Sequence, residues 1–130
     1  MSIGYSETLR NDRLDEITAA VGTSGLLRIY DSTRPATGGA ATTLLAELAC
    51  SATFAPAASA GVLTANAISD DTVADNTGTA TWFRVTTSGG TQVVDGDAGT
   101  AGTELILDDD NIVAGGTVTV SSLVVTGGNA

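Results

Sequence analysis

Lysine and histidine are both missing from this chain, and five arginines are its whole cationic complement against fifteen acidic residues. Histidine is the usual carrier of protons near neutral pH, and lysine the usual source of Schiff-base chemistry. Without histidine a Ser-His-Asp arrangement is excluded, and the composition points away from catalysis. The single cysteine, Cys50, excludes an internal disulfide framework and a cysteine-built zinc site. Its neighbours Leu48, Ala49 and Ala52 give it the reading of a buried thiol that packs as a small hydrophobe. Aromatic residues make up only 4% of the chain, so the expected core is thin and built of small side chains. No run approaches the ~18 apolar residues of a membrane span. Met1-Ser2-Ile3-Gly4 has no basic lead-in, so neither a signal peptide nor a membrane association is expected.

What is present is a chain of 130 residues, enough for one domain that buries roughly two-thirds of its unfolded surface. The formal net charge of −10 repels nucleic acid and anionic lipid, so neither is expected as a partner.

The N-terminal segment differs in kind from the rest. Ser6 to Val21 is dense in charge and free of Gly and Pro, and predicts a helix. Ser6 is the N-cap, Glu7 lies in the favourable first turn, Leu14, Ile17 and Val21 recur at helical spacing, and Gly22 is the stop. Its apolar residues have two readings: packing on the domain's own sheet, or docking on another subunit. Residues 1–22 are accordingly read as an N-terminal helical arm and 23–130 as a single β-sandwich domain.

After Gly22 the chain turns to Gly, Thr, Ala, Val and Ser with turn clusters at short intervals, the pattern of an antiparallel β-sandwich or jelly-roll-like domain. Strands are expected at Leu26–Tyr30, Leu44–Ser51, Val62–Ile68, Thr79–Thr87, Thr91–Val94, Glu104–Leu107, Asn111–Val113 and Thr117–Thr126. In Leu44–Ser51 the alternation puts Leu44, Ala46, Leu48 and Cys50 on one face, although Leu44-Leu45-Ala46-Glu47-Leu48 equally suits the start of a short helix. Thr79–Thr87 carries Trp82, Phe83 and Val85 and is expected to be central. Ser88-Gly89-Gly90 predicts a hairpin, and Asp95-Gly96-Asp97-Ala98-Gly99 a further turn. In the last strand the apolar face switches at Ser121-Ser122, which predicts a bulge or a crossing between sheets. The tail Gly127-Gly128-Asn129-Ala130 reads as flexible.

Three acidic stretches invite comparison with a calcium loop: Asp70-Asp71 with Asp75, Asp95 with Asp97, and Asp108-Asp109-Asp110 with Asn111. None has the ligand spacing of a dedicated motif, so solvated turn residues are the expectation and no metal or cofactor is assigned. A carboxylate hydrolase would need two acids across a cleft, and Glu47 and Glu104 are the acids within expected strands. Trp82, sharing a face with Arg84, is either core or a stacking platform for a sugar.

The segments Tyr5-Ser6-Glu7-Thr8-Leu9-Arg10-Asn11-Asp12-Arg13-Leu14, Gly25-Leu26-Leu27-Arg28-Ile29-Tyr30-Asp31 with Arg34-Pro35, and Thr79-Ala80-Thr81-Trp82-Phe83-Arg84-Val85 resemble small virion structural proteins of tailed bacteriophages and prophages. The resemblance spans most of the chain. It implies a non-enzymatic capsid decoration, or cement, protein located in the virion, with the major capsid protein and copies of itself as partners. The contact residues expected for that role are Tyr5, Leu9, Arg10, Arg13, Arg28, Tyr30 and Arg34, the arginines because an acidic protein must use them to pair with acidic neighbours. A tail or fibre-associated module that binds a host glycan is the alternative, and the carboxylate hydrolase a third.

Overall fold

The structure is a computed structural model and describes residues 3–127. It is mainly β, with one N-terminal helix and a large mixed sheet folded in the manner of a sandwich around one core. Helix α1 spans Glu7–Val21, with the Ser6 hydroxyl accepting from the Leu9 amide and Gly22 closing the last turn at φ +78°. These are the caps expected from the sequence. The rest of the tail, beyond Gly127, lies outside the described residues.

Among the described residues nine strands follow: β1 (Leu26–Tyr30), β2 (Leu44–Ala49), β3 (Val62–Thr64), β4 (Gly78–Thr79), β5 (Trp82–Thr86), β6 (Gln92–Gly99), β7 (Leu105–Leu107), β8 (Asn111–Ile112) and β9 (Val120–Thr126). Seven form one sheet in the order β2-β1-β5-β6-β7-β9-β3, and β4 and β8 pair separately. Strand β5 is flanked on both sides, as its β-branched and aromatic residues require. All pairings are antiparallel except β6 with β7, where Ala98 faces Leu105 and Gly99 faces Ile106 in parallel.

Three register shifts interrupt the sheet, one of them at Val93 of β6, and the other two set which side chains of β2 and β9 enter the core. In β2, Ile29 faces Ala46 and Tyr30 faces Leu44, so Leu45 is an extra residue. The bulge lets Leu45 and Ala46 both be buried and pairs Leu44 with Tyr30 instead of placing it with Ala46 and Leu48, which corrects the strict alternation. In β9, Ile106 faces Ser122 and Leu107 faces Val120, leaving Ser121 unpaired. That bulge lies where the apolar face switches in the sequence.

The segment Asp95–Gly99 is a correction to the reading as a turn, because it completes β6. Asp95 stands opposite Arg84 and Gly96 opposite Phe83 on β5. A Cβ on Gly96 would lie 2.6 Å from Phe83 Cε1, so this glycine admits a ring and does not break the strand. Conversely, Val62–Ile68 is extended only to Thr64.

One cluster joins Leu27, Ile29, Phe83 and Val85 of the central strands to Leu63, Leu105, Leu107 and Leu123 at the far end of the sheet, with Phe54 from a loop. The chain after β3 draws the two ends of the sheet together: Ala65 N–H donates to Leu123 O, and Ser69 N–H to Ala49 O. Leu14 and Val21 of α1 belong to the same cluster, so of the two readings of the helix the structure has the one in which it packs on its own domain.

Both outer strands are blunted. Along β2, the amides of Ser69, Asp75 and Asn76 donate to Ala49 O and Leu45 O, and the Asp71 carboxylate accepts from Glu47 N–H. On the outer side of β3, Val62 exchanges both of its backbone hydrogen bonds with Ser59, and just before the strand the Asn11 and Asp15 side chains of the helix accept from Gly61 N–H and Ala58 N–H. Edges covered in this way offer no free ladder to a further strand.

Candidate functional site

The face of β1, β5 and β6 that looks away from the core carries Arg28 and Tyr30 of β1 and Trp82 and Arg84 of β5. Trp82 and Tyr30 stack there with ring centroids 4.3 Å apart, and Arg84 lies 5.2 Å above the indole. Arg84 and Asp95, opposite one another across two strands, form a two-pronged pair through Nε–Oδ1 at 2.8 Å and Nη2–Oδ2 at 3.1 Å. The loop 31–43 closes over this face. Gly38 N–H donates to Asp95 Oδ2, Arg84 Nη2 donates to Gly39 O, and Trp82 Nε1 donates to Asp31 O and Thr42 Oγ1. Arg34 ties the loop to β6 through Asp95 O and the Asp97 carboxylate.

The electrostatics follow from that enclosure. Burial by itself pushes the Asp95 carboxyl up, yet the hydrogen bonds from Arg84 and the Gly38 amide outweigh it and hold the group below the ordinary 3.8. The hydrogen bond to Asp95 in turn raises the Arg84 guanidinium. This is a charge pair that fastens a loop. Trp82 is 0% exposed and Tyr30 4%, so neither offers a ring face to a sugar, and Tyr30 is not a surface contact residue as expected from the sequence. Arg28 is engaged with Glu47 at 2.9 Å on the neighbouring strands.

The helix side is built differently. Arg10, Arg13, Leu14 and Ile17 of α1, with Thr126 and Gly127 at the end of β9, line a groove of about 260 Å³. Arg10 Nη1 donates to Gly127 O at 3.4 Å, while its buried Nε has no hydrogen-bond partner. Gly61 is required beneath it: φ is +71°, and a Cβ there would stand 2.5 Å from Arg10 Nη1. Arg13 is exposed, 4.8 Å from the Tyr5 ring centroid. Among the described residues, the three arginines of the β region each have a carboxylate partner, and the two of the helix have none. Leu9 is 44% exposed on the same element.

A larger cleft of about 480 Å³ opens where β6 and β9 diverge, lined by Phe83, Val94, Asp95, Gly96, Thr103, Glu104 and Val124 among others. Its acids are already engaged: Asp95 with Arg84, and Glu104 Oε1 with the Asp97 amide at 3.1 Å. Glu47, the other acid considered for hydrolysis, lies on β2 in its pair with Arg28 and does not line this cleft.

The acidic loops serve turns. Asp71 accepts from the amides of Glu47 and Val73, Asp109 from Asn111 N–H, and Asp108 from the Ser121 hydroxyl. No three carboxylate or thiol groups converge as metal ligands among the described residues. Cys50 is half-buried against the core, and desolvation pushes its thiol up to about 11, which leaves it protonated and unreactive near neutrality. No helix among the described residues is long and apolar enough to cross a membrane.

The structure thus places Arg28, Tyr30 and Arg34 together on the loop-covered side, Leu9, Arg10 and Arg13 on the helix, and Tyr5 just before it, against Arg13. The sequence reading missed Asp95 as a structural anion. Its cue was present in the strand period, since Arg84 and Asp95 are equidistant from the Gly89-Gly90 turn to within one residue. No protein-family model, curated protein or solved structure matches this chain.

Proposed function

We propose that this chain is a non-enzymatic structural component of a bacteriophage virion, of the kind that decorates and stabilises the capsid shell. The reading rests on the resemblance drawn from the sequence of its helical segment, its first strand and its Trp82-Phe83-Arg84 strand, and the observation that supports it is that the charged and aromatic groups of the sheet are spent on internal contacts. The disposition of side chains supports it. The acids weighed for hydrolysis are committed to an arginine or a backbone amide, and Trp82, weighed for sugar stacking, lies beneath a loop. Such a protein acts through surfaces, and with both outer strands covered its contacts run through the helix and the loops, not through added strands. Repetition of modest contacts over a lattice multiplies them into firm attachment.

Imaging of particles that contain the protein tests this directly. Many copies at regular positions on the shell are expected. A few copies at one vertex or along the tail would exclude the decorating role and favour the tail-associated alternative. Turnover of a substrate that is lost in Glu47→Gln or Glu104→Gln would exclude both.

A further inference from the structure

The geometry points to head-to-tail self-association, in which the Arg10–Arg13 groove of one copy receives the acidic end of a second copy of this chain. The groove supplies two guanidiniums without a carboxylate partner among the described residues, one with a buried Nε that makes no hydrogen bond to them, next to the exposed Leu9. In a protein of charge −10 such unneutralised cations mark the place where an anionic neighbour is favoured.

The complementary surface is on the same molecule. Residues 70–79 and 108–118 contain six aspartates and no arginine. Backbone hydrogen bonds hold the two stretches together: Ala74 N–H to Gly116 O, Gly115 N–H to Ala74 O and Val118 N–H to Asp71 O. Val73 and Val113 flank these bonds and are 66% and 63% exposed, the two most exposed large apolar residues described. Asp109 and Asp110 beside them are in no ion pair among the described residues. One surface is therefore basic and apolar, and the other acidic and apolar.

The two cannot meet within one molecule. The Asp108 amide bonds to Thr119 O just before β9, whereas Thr126 and Gly127 line the groove at the other end of that strand. Eight extended residues put them roughly 25 Å apart. A contact between unlike surfaces of identical chains is heterologous, and it builds a ring or a filament according to the angle it imposes.

The test uses two variants of the whole chain, Arg10→Gln/Arg13→Gln and Asp109→Asn/Asp110→Asn, in sedimentation velocity at low salt. The wild type is expected to self-associate, and to do so less as salt rises. Each variant alone should associate about tenfold more weakly, the loss from two partly exposed pairs. Mixed together, they should form a one-to-one dimer that grows no further, because each retains one intact surface. Circular dichroism checks that both fold, and Arg13→Gln alone, which changes an exposed side chain, gives the same reading should the double variant unfold. A wild type that stays monomeric, self-association indifferent to these substitutions, or binding of a poly-glutamate peptide to the groove of a monomeric wild type would each overturn the proposal.

Discussion

The loop-covered face of the sheet and the helix face solve the same electrostatic problem in opposite ways. On the sheet, Arg28, Arg34 and Arg84 meet Glu47, Asp97 and Asp95, and the Arg84 pair is enclosed with a stacked Trp82 and Tyr30. On the helix, Arg10 and Arg13 lack such a neighbour among the described residues, although the chain has three acids for every arginine. Where charge is needed to fasten a loop, the strand register supplies the counter-ion. Where it is left unmatched, it is available to something outside the molecule. The comparison therefore assigns stability to the first region and contact to the second.

Three substitutions probe the sheet side of this contrast, in falling order of effect. Trp82→Ala removes a fully buried indole, its stack on Tyr30 and the donor that holds Asp31 and Thr42, and should cost about 4 kcal/mol in a denaturant titration. A loss under about 1 kcal/mol would show that the loop is not fastened through the tryptophan.

Asp95→Asn leaves Arg84 without its counter-charge in a site where the aspartate side chain is 0% exposed, and should cost about 3 kcal/mol. It should also change the acid limb of the stability curve. Because the folded value of Asp95 lies below the ordinary 3.8, the unfolded chain takes up its proton first as the pH falls. The contribution of Asp95 is then complete above that value and is lost as the pH drops through the lower, folded one. Melts at graded acid pH should show a shallower fall in the variant.

Glu47→Gln breaks a pair whose side chains are 29% and 39% exposed, and should cost only about 0.5 kcal/mol, less still in high salt. An effect as large as that of Asp95→Asn would remove the distinction drawn between enclosed and solvated pairs on this face.

The helix was readable with its caps because those signals are local: Ser6 precedes a glycine-free run, and Gly22 adopts a positive φ that few other residues tolerate. Its mode of docking was not. Leu14 and Val21 are its buried residues, and further attachment comes from half-buried Ile17, from Arg10 donating to Gly127 O, and from Asn11 and Asp15 accepting from the amides of Gly61 and Ala58, contacts between residues far apart in the chain. The bulge at Ser121 was legible as a switch of apolar face, whereas that at Leu45 was hidden, since Leu44, Leu45 and Ala46 are all apolar and any register satisfies them. Asp95–Gly99 read as a turn because its composition is that of turns, and it became a strand once Phe83 needed a partner without a side chain.

Composition alone determined that this chain is β-rich, acidic and without imidazole or amine side chains, since those properties depend on which residues are present and on their spacing along one segment. Which arginines are neutralised was decided by the tertiary structure. A charge is matched only when folding brings an opposite one within a few ångströms, and the cross-strand register does this for Arg84 while, among the described residues, the docking of the helix does not do it for Arg10 or Arg13.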